Sequence, residues 1–227
     1  MLQDGNHMQI TDEIFQVGGA GFTSSEDGAI YLVHFDGHAA LVDGGCGFSE
    51  DRLLRNIRDC GVEPENIELL LITHCHFDHA GGIHSLQKRL EAETVAHELD
   101  AQFLERGDPE VTAARWYGET IIPFVVDRKV KDTPEDIFLG GRAVTAIHTP
   151  GHSPGSMVYM TESAGFRVLF GQDVHGPLHP GLLSHREDYL RSLQHLISLE
   201  ADILCEGHYG VYTGKRRVKD FISSFLP

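Results

Sequence analysis

Four side chains that bind metal ions readily lie within six residues, in the segment Thr73-His74-Cys75-His76-Phe77-Asp78-His79. His74 and His76 are two residues apart, so in extended backbone their imidazoles project to the same side and can hold one cation. Asp78 and His79 fall where a helix is predicted to begin, and they offer an oxygen and a nitrogen to a second cation. Burial of these groups without metal would leave polar atoms in need of partners, so the segment predicts a metal site.

Three later stretches supply the ligands that a site for two metals would still need. His152 lies in Thr149-Pro150-Gly151-His152-Ser153-Pro154-Gly155, where the Pro and Gly residues favour a tight turn after a strand. Phe170-Gly171-Gln172-Asp173 ends another predicted strand in a carboxylate that can bridge two cations, and Cys205-Glu206-Gly207-His208 ends a third in a histidine. Their order and their shared position at strand ends make the set stronger evidence than any one member.

Two neighbouring cations define the chemistry that this donor set predicts. They lower the pKa of a shared water to near neutrality, and the resulting bridging hydroxide attacks a carbonyl or phosphoryl centre whose oxygen a metal polarises. Asp78 is expected to orient this hydroxide as well as to bind metal. The prediction is therefore a hydrolase with two divalent ions, for which zinc is favoured and iron or manganese are alternatives.

Strands and helices that alternate along the chain are expected to position these residues. Hydrophobic alternation and β-branched residues predict the following strands: Met8–Val17, Ala29–Phe35, His38–Val42, Ile67–Thr73, Thr94–Ala96, Ala143–Ile147, Met157–Met160, Arg167–Phe170 and Ile203–Cys205. Capping residues and apolar stripes predict helices after Ser49, over Gly82–Leu90, after the capping box Ser184-x-x-Glu187, and over Val218–Phe225.

One domain of mixed α/β type accounts for this pattern. It is predicted to cover residues 8–227, after a polar N-terminal extension at residues 1–7. Residues 97–131 break the strand rhythm and contain the only tryptophan, so they are predicted to form a helical insert over one edge of the domain.

The composition limits the partners and the compartment. A formal net charge of −16 disfavours nucleic acids and anionic membranes as partners, and it favours a neutral or cationic small molecule as substrate. The basic run Lys215-Arg216-Arg217 with Lys219 has no interleaved aromatic residue and is interpreted as the solvated face of a helix. No secretory signal is visible, which favours a cytoplasmic protein, and a homodimer is one possible assembly.

The motif HxHxDH at His74, His76, Asp78 and His79, followed by His152, Asp173 and His208, resembles the signature of the metallo-β-lactamase superfamily. The resemblance covers nearly the whole chain and implies an α+β fold, a four-layer αββα sandwich with the site at one edge of two sheets. By the family pattern, His74, His76 and His152 hold one metal, Asp78, His79 and His208 hold the other, and Asp173 bridges them. Asp43, at the end of a strand, matches a position that orients a ligand histidine in the family.

The substrate predicted from this resemblance is a small ester, lactone or thioester. Relatives of the glyoxalase II type carry a Gly-Arg stretch soon after the bridging aspartate and a helical C-terminal extension, and this sequence shows neither. Lactonases of the superfamily often place a tyrosine three residues after that aspartate, where this chain has Gly176. A mononuclear iron persulfide dioxygenase and a catalytically idle metal-binding protein are the two alternatives outside hydrolysis.

Several residues outside the metal ligands are predicted to meet the substrate. His175, two residues after Asp173, is a candidate for the active-site mouth and for a catalytic role. The candidates for the apolar wall of the pocket come from the insert, from the Gly19–Gly28 loop and from the residue after His208; they are Trp116, Tyr117, Phe124, Phe22 and Tyr209.

Overall fold

Two β-sheets packed face to face form the centre of the molecule, in a computed structural model that describes residues 6–171 and 173–227. The first sheet follows chain order, with strands β1 Met8–Gln9, β2 Ile14–Gly18, β3 Ile30–Phe35, β4 His38–Val42, β5 Ile67–Leu71, β6 Glu93–His97 and β7 Arg128–Val130. Its strands pair antiparallel from β1 to β4 and parallel from β4 to β7.

The second sheet has the order β13-β12-β11-β10-β9-β8. Its strands are β8 Glu135–Leu139, β9 Arg142–His148, β10 Met157–Ser163, β11 Phe166–Phe170, β12 Ile203–Cys205 and β13 Val211–Thr213. The pairing is antiparallel except between β11 and β12, which are parallel. As a result β9, β11 and β12 all run in one direction.

Helices cover the outer face of each sheet. They are α1 Glu50–Asp59, α2 Phe77–Ala80, α3 Ile83–Leu90, α4 Glu98–Arg106, α5 Arg186–Ser198 and α6 Lys215–Ser223. Short 3₁₀ turns lie at Pro64–Asn66, Ala114–Tyr117 and Pro180–Leu182. No helix in the described part of the chain is long and apolar enough to cross a membrane.

Three apolar cores separate four layers. Alternate residues of each strand point to opposite faces, so Leu70 packs toward the helices α1 and α3, while Leu69 and Leu71 face the second sheet. The core between the sheets contains Tyr31, Phe35, Tyr159 and Phe170, among others. The third core packs α5 and α6 against the second sheet through residues such as Leu193, Leu196, Val218 and Ile222. This arrangement confirms the predicted four-layer αββα sandwich.

Two local sequence predictions were wrong. Met8–Val17 is not one strand but the hairpin of β1 and β2, because the backbone turns at Thr11, whose hydroxyl accepts a hydrogen bond from the Glu13 amide at 3.2 Å. Ser184 does not cap α5. The cap is His185, whose Nδ1 accepts from the Asp188 amide at 3.4 Å, and the Ser184 hydroxyl donates to the carbonyl of His152 at 2.6 Å.

The segment 97–131 also differs from the insert that the sequence suggested. It contains α4 and a 3₁₀ turn, but its first residue, His97, closes β6, and residues 128–130 form β7, which pairs in parallel with β6. Its apolar side chains, including Phe103, Leu104 and Phe124, belong to the core over the first sheet. The segment is therefore largely a crossover connection inside the fold. Of the predicted extension at residues 1–7, residues 1–5 lie outside the described residues.

Candidate metal centre

The seven predicted ligands meet at one edge of the sandwich, because the strands that precede them all end there. The parallel strands β4 and β5 lead into Asp43 and into the segment 73–79, and β9, β11 and β12 lead into the other three ligand loops. Hydrogen bonds join the two sheets at this edge: the Met157 amide donates to the Thr73 carbonyl at 2.7 Å, and the Tyr31 hydroxyl donates to the Glu206 carbonyl at 2.7 Å.

The donor atoms form two adjacent groups. His74, His76 and His152 make one group, and Asp78, His79, Asp173 and His208 make the other; within each group the donor atoms lie within 4.8 Å of one another. The two oxygens of Asp173 divide between the groups. Its Oδ1 lies 3.1 Å from Nε2 of His79, and its Oδ2 lies 3.4 Å from Nε2 of His152. The carboxylate is therefore placed to contact an ion in either group.

Hydrogen bonds on the far side of three imidazoles aim Nε2 of each ring into the cluster. His79 donates from Nδ1 to Asp43 at 2.7 Å, and His152 donates from Nδ1 to the Pro177 carbonyl at 3.0 Å. His74 Nδ1 lies 3.0 Å from the Thr73 hydroxyl, which itself donates to Asp43 at 2.8 Å, so His74 is the donor to Thr73. Such contacts fix the tautomer and the ring direction of metal-binding histidines.

The atoms that face the cluster lack the partners that buried polar atoms normally have. Nε2 of His76 and Oδ1 of Asp173 are buried and make no hydrogen bond. Nε2 of His74 and Nε2 of His152 are only 3.3 Å apart, although Nδ1 of each ring already carries the proton. Two lone pairs at that distance repel unless a cation lies near both. The donor set therefore fits divalent metal ions.

The electrostatics of the two groups point the same way. Burial, together with the neighbouring imidazoles, lowers the pKa of His74 well below its usual value, and burial lowers the pKa of His76 to about 3, so both are neutral and able to bind metal. Burial alone would lower the pKa of His79 and of His208 as well. Carboxylates reverse the effect: Asp173, Asp78 and Asp43 raise the pKa of His79, and the neighbouring carboxylates of Asp173 and Asp78 raise that of His208 to about 10. The carboxylates of this second group therefore favour a cation beside them.

Backbone approaches the cluster closely at Gly28. A Cβ at this position would lie 2.6 Å from the imidazole of His79, so a glycine is required there. The loop Gly19–Gly28 therefore contacts the centre through its backbone at Gly28, which also donates a hydrogen bond to the Asp78 carbonyl at 2.9 Å.

Asp100 is a buried carboxylate that the sequence did not single out. It lies in the first turn of α4 and accepts hydrogen bonds from the Cys75 amide at 2.9 Å, the Ser153 hydroxyl at 2.6 Å and the Gly155 amide at 2.6 Å. Cys75 separates two predicted ligands and Ser153 follows a third. Asp100 therefore ties together the two loops that carry the group of three histidines. Burial raises its pKa, and the three hydrogen bonds oppose that shift.

Glu206 is a second buried carboxylate that sequence reasoning missed. One oxygen accepts from the amides of His208 and Tyr209, both at 2.7 Å, and the other accepts from Nδ1 of His175 at 2.8 Å. It thus holds the turn that carries His208 and fixes the imidazole of His175. An acidic residue directly after the buried strand Ile203–Cys205 was the available signal.

A cavity of 280 Å³ opens above the two groups. Among the residues that line it, the ones outside the ligand set are Ala113, Trp116, Tyr117, His175, Pro177 and Leu182. Trp116 is 54% exposed. Burial and the neighbouring Asp78 raise the pKa of Tyr117, so its phenol stays protonated beside that carboxylate.

Some of the residues predicted to contact substrate lie at this cavity, and others do not. Trp116, Tyr117 and His175 line the cavity, and Tyr209 lies at its rim, with its ring centroid 4.6 Å from that of His175. Phe124 was predicted wrongly, because it is 6% exposed in the core under α4. Phe22 does not line the cavity either: it lies in the turn that begins at Gly19, where its carbonyl accepts from the Asn56 side chain at 3.1 Å.

Replacement of Asp43 by Asn is expected to lower the affinity for metal about 10- to 100-fold. The buried Asp43 carboxylate accepts from the Thr73 amide, the Thr73 hydroxyl and His79, whereas an amide offers one acceptor and brings an NH₂ group against donors. Competition with a chromophoric chelator measures the affinity. Asp36→Asn is the matched control, because Asp36 also has a positive φ, 50° against 65° for Asp43, but is exposed. Equal affinities in both variants would contradict the assigned role.

Comparisons with known proteins identify the family and the fold of this chain. The family model for the metallo-beta-lactamase superfamily matches residues 26–208. The acyl-coenzyme A thioesterase MBLAC2 of Gallus gallus is 27% identical over 97% of this chain and 86% of that protein. The hydroxyacylglutathione hydrolase GloC of Haemophilus influenzae is 30% identical over 82% of this chain and 88% of that protein. A metallo-β-lactamase of Cronobacter sakazakii has a similar fold, with a TM-score of 0.82 at 22% identity over 97% of this chain and 91% of that one.

Proposed function

This chain belongs to the metallo-β-lactamase superfamily, and we propose on that basis that it is a metal-dependent hydrolase that cleaves thioesters. The observation that carries the proposal is the convergence of seven nitrogen and oxygen donors, in two adjacent groups, on the floor of one cavity. In this proposal the two groups would hold two divalent ions, and the cavity above them would take a small acyl group.

In this proposal His74, His76 and His152 hold one ion, Asp78, His79 and His208 hold the other, and Asp173 contacts both. When bound, the metal pair would supply a water of lowered pKa and polarise the carbonyl of the substrate. The protein's own contribution is to hold these donors rigidly through carboxylates and carbonyls outside the cluster.

The walls of the cavity suggest how a thioester would lie. One side is apolar and formed by Ala113, Trp116 and Leu182, which suits an acyl chain. The other side carries His175, whose ring Glu206 fixes through Nδ1, so that its Nε2 remains for contact with substrate. Tyr117, protonated and beside Asp78, adds a hydroxyl donor near the reacting carbonyl.

The choice of thioesters over lactones and other esters rests on the relatives. Both named relatives match most of this chain and most of their own length, and the printed name of each describes the hydrolysis of a thioester. At 27% and 30% identity these names support the class of bond and leave the carrier of the acyl group open.

The test begins with the metal content of protein purified without added metal, followed by a panel of thioester, ester and lactone substrates. We expect two divalent ions per chain and the highest kcat/KM with a thioester. One iron per chain with oxygen uptake on a persulfide would contradict the proposal and support a dioxygenase. Full metal loading without turnover of any substrate in the panel would support an idle binding protein.

Replacement of Trp116 by Ala is expected to reduce the preference for an octanoyl over an acetyl thioester about tenfold, or about 1.4 kcal/mol, because the acyl chain would lose apolar contact equivalent to one or two CH₂ groups at about 0.8 kcal/mol each. The ratio of kcat/KM values for the two substrates measures this preference. Phe166→Ala is the matched control, since Phe166 is 46% exposed at the start of β11, the end of that strand opposite the metal centre. An equal change in both variants would remove Trp116 from the acyl site.

A further inference from the structure

The start of α6 carries a dense cluster of cations on an acidic protein. Lys215, Arg216, Arg217 and Lys219 supply four of the chain's 18 basic residues, against a net charge of −16. Arg216 has a carboxylate within reach, Asp220 at 3.6 Å, and both side chains are exposed. The other three cations have no ion pair within residues 6–171 and 173–227. Three neighbouring positive charges that repel one another are therefore left to solvent or to a ligand.

Aromatic rings lie beside this cluster, although the sequence places none within it. Tyr212, from the neighbouring strand β13, stacks on Phe221 of α6 with ring centroids 4.0 Å apart and planes 22° apart. Tyr209 lies 6.3 Å from Phe221 and is 61% exposed. A groove of 440 Å³ runs over these rings, lined by Val211, Tyr212, Arg217, Asp220 and Phe221. The four cations themselves are exposed, as the sequence-based interpretation of this run as a solvated helix face predicted.

Contacts between aromatic rings link the groove with the metal cavity. Tyr209 contacts His175 at 4.6 Å between ring centroids, and His175 contacts the predicted ligand His208 at 5.4 Å. Tyr209 therefore lies between Phe221, which lines the groove, and His175, which lines the cavity with Trp116 and Leu182. An acyl group against Trp116 would leave the sulfur side of a thioester directed toward Tyr209 and α6.

We propose that this groove binds the phosphorylated nucleotide end of the carrier thiol, so that the substrate is an acyl thioester of the coenzyme A type; this inference rests on the proposed thioesterase function. An adenine offers a flat face for the exposed ring of Tyr209, beside the half-buried stack of Tyr212 and Phe221. Phosphates suit Arg217, Lys215 and Lys219, because guanidinium and ammonium groups make charge-assisted hydrogen bonds to phosphate oxygens. A glutathione carrier has neither a base nor phosphates to place there.

The length of such a carrier agrees with the layout. The arm between the sulfur and the phosphates is comparable to about four extended residues, roughly 14 Å. Three ring contacts, at 5.4, 4.6 and 6.3 Å, lead from His208 to Phe221. The local excess of positive charge also explains how a chain with a net charge of −16 would accept an anionic substrate, since screening limits the influence of distant carboxylates to about 10 Å.

The experiment compares the metal-loaded wild type with Arg217→Glu and the control Arg55→Glu. Arg55 is an exposed residue of α1, on the opposite outer layer, and its replacement changes the net charge equally. The substrates are acetyl coenzyme A and acetyl N-acetylcysteamine, which share the acyl group and the sulfur. We expect Arg217→Glu to lower the preference for the coenzyme A thioester at least about tenfold, a loss of about 1.4 kcal/mol, and the control to leave it within about twofold.

Binding of adenosine 3′,5′-bisphosphate to the same three proteins, measured by calorimetry, separates the proposed groove from the proposed thioesterase function. Binding to the wild type that Arg217→Glu weakens and Arg55→Glu retains supports the groove, even if neither thioester is cleaved, in which case only the thioesterase function fails. Cleavage of both thioesters with equal kcat/KM and no binding of the bisphosphate overturns the groove and leaves the thioesterase function intact. Equal weakening in both variants is a general charge effect and also overturns the groove.

Discussion

Replacement of Asp173 by Asn is expected to reduce kcat/KM for a thioester at least about a thousandfold, or about 4 kcal/mol of transition-state stabilisation. The two oxygens of this carboxylate reach toward both groups of donors, at 3.1 Å from His79 and 3.4 Å from His152. An amide can offer only its oxygen to a cation and places an NH₂ group against the other group. The bound metal should therefore fall below two ions per chain, as measured by elemental analysis after dialysis.

The control for Asp173→Asn is Asp132→Asn, an exposed position for which the same chemical change should alter neither activity nor metal content. Circular dichroism and thermal unfolding show whether each variant is folded. A folded Asp173→Asn protein that keeps two ions and more than a tenth of the wild-type kcat/KM would contradict the assignment of Asp173 as the ligand shared by the two groups.

Replacement of Asp100 by Ala is expected to lower the free energy of unfolding by at least about 3 kcal/mol, because each buried donor that loses its partner costs about 1–3 kcal/mol. The donors are the amides of Cys75 and Gly155 and the hydroxyl of Ser153, all in the loops that carry His74, His76 and His152. Because these loops then lose their common anchor, metal affinity should also fall, by about 10- to 100-fold. Urea unfolding and chelator competition measure the two effects.

Two comparisons make the Asp100 result specific. Asp100→Asn should destabilise less than Asp100→Ala, by about 1–3 kcal/mol, because its amide oxygen still accepts while its NH₂ group faces a donor that has lost its acceptor. Asp132→Ala, at the exposed position, should change the free energy of unfolding by less than about 0.5 kcal/mol. Destabilisation by Asp100→Ala with unchanged metal affinity would reduce Asp100 to a structural residue without influence on the metal centre.

Local sequence patterns predicted most of the strands and helices. The bounds of β4 at His38–Val42 and of β12 at Ile203–Cys205 agree with the prediction, because each is a short apolar run that ends at turn residues or polar ligands. The errors arose where a side chain took a partner that periodicity does not reveal. Ser184 matches the spacing of a capping box, yet its hydroxyl bonds the carbonyl of His152, a residue 32 positions away.

The sequence alone identifies the seven donors, because metal-binding residue types recur at a characteristic spacing. His74, His76, Asp78 and His79 lie within six residues, and each of the other three donors follows a predicted strand. The tertiary structure alone decided which residues support and surround them. Asp100 accepts hydrogen bonds from amides 25 and 55 residues away, and Glu206 accepts one from His175, 31 residues before it. Packing places Phe124 in the core and Phe221 beside the groove at α6. Partners of this kind depend on which strands and helices lie side by side, and spacing along the chain does not record that.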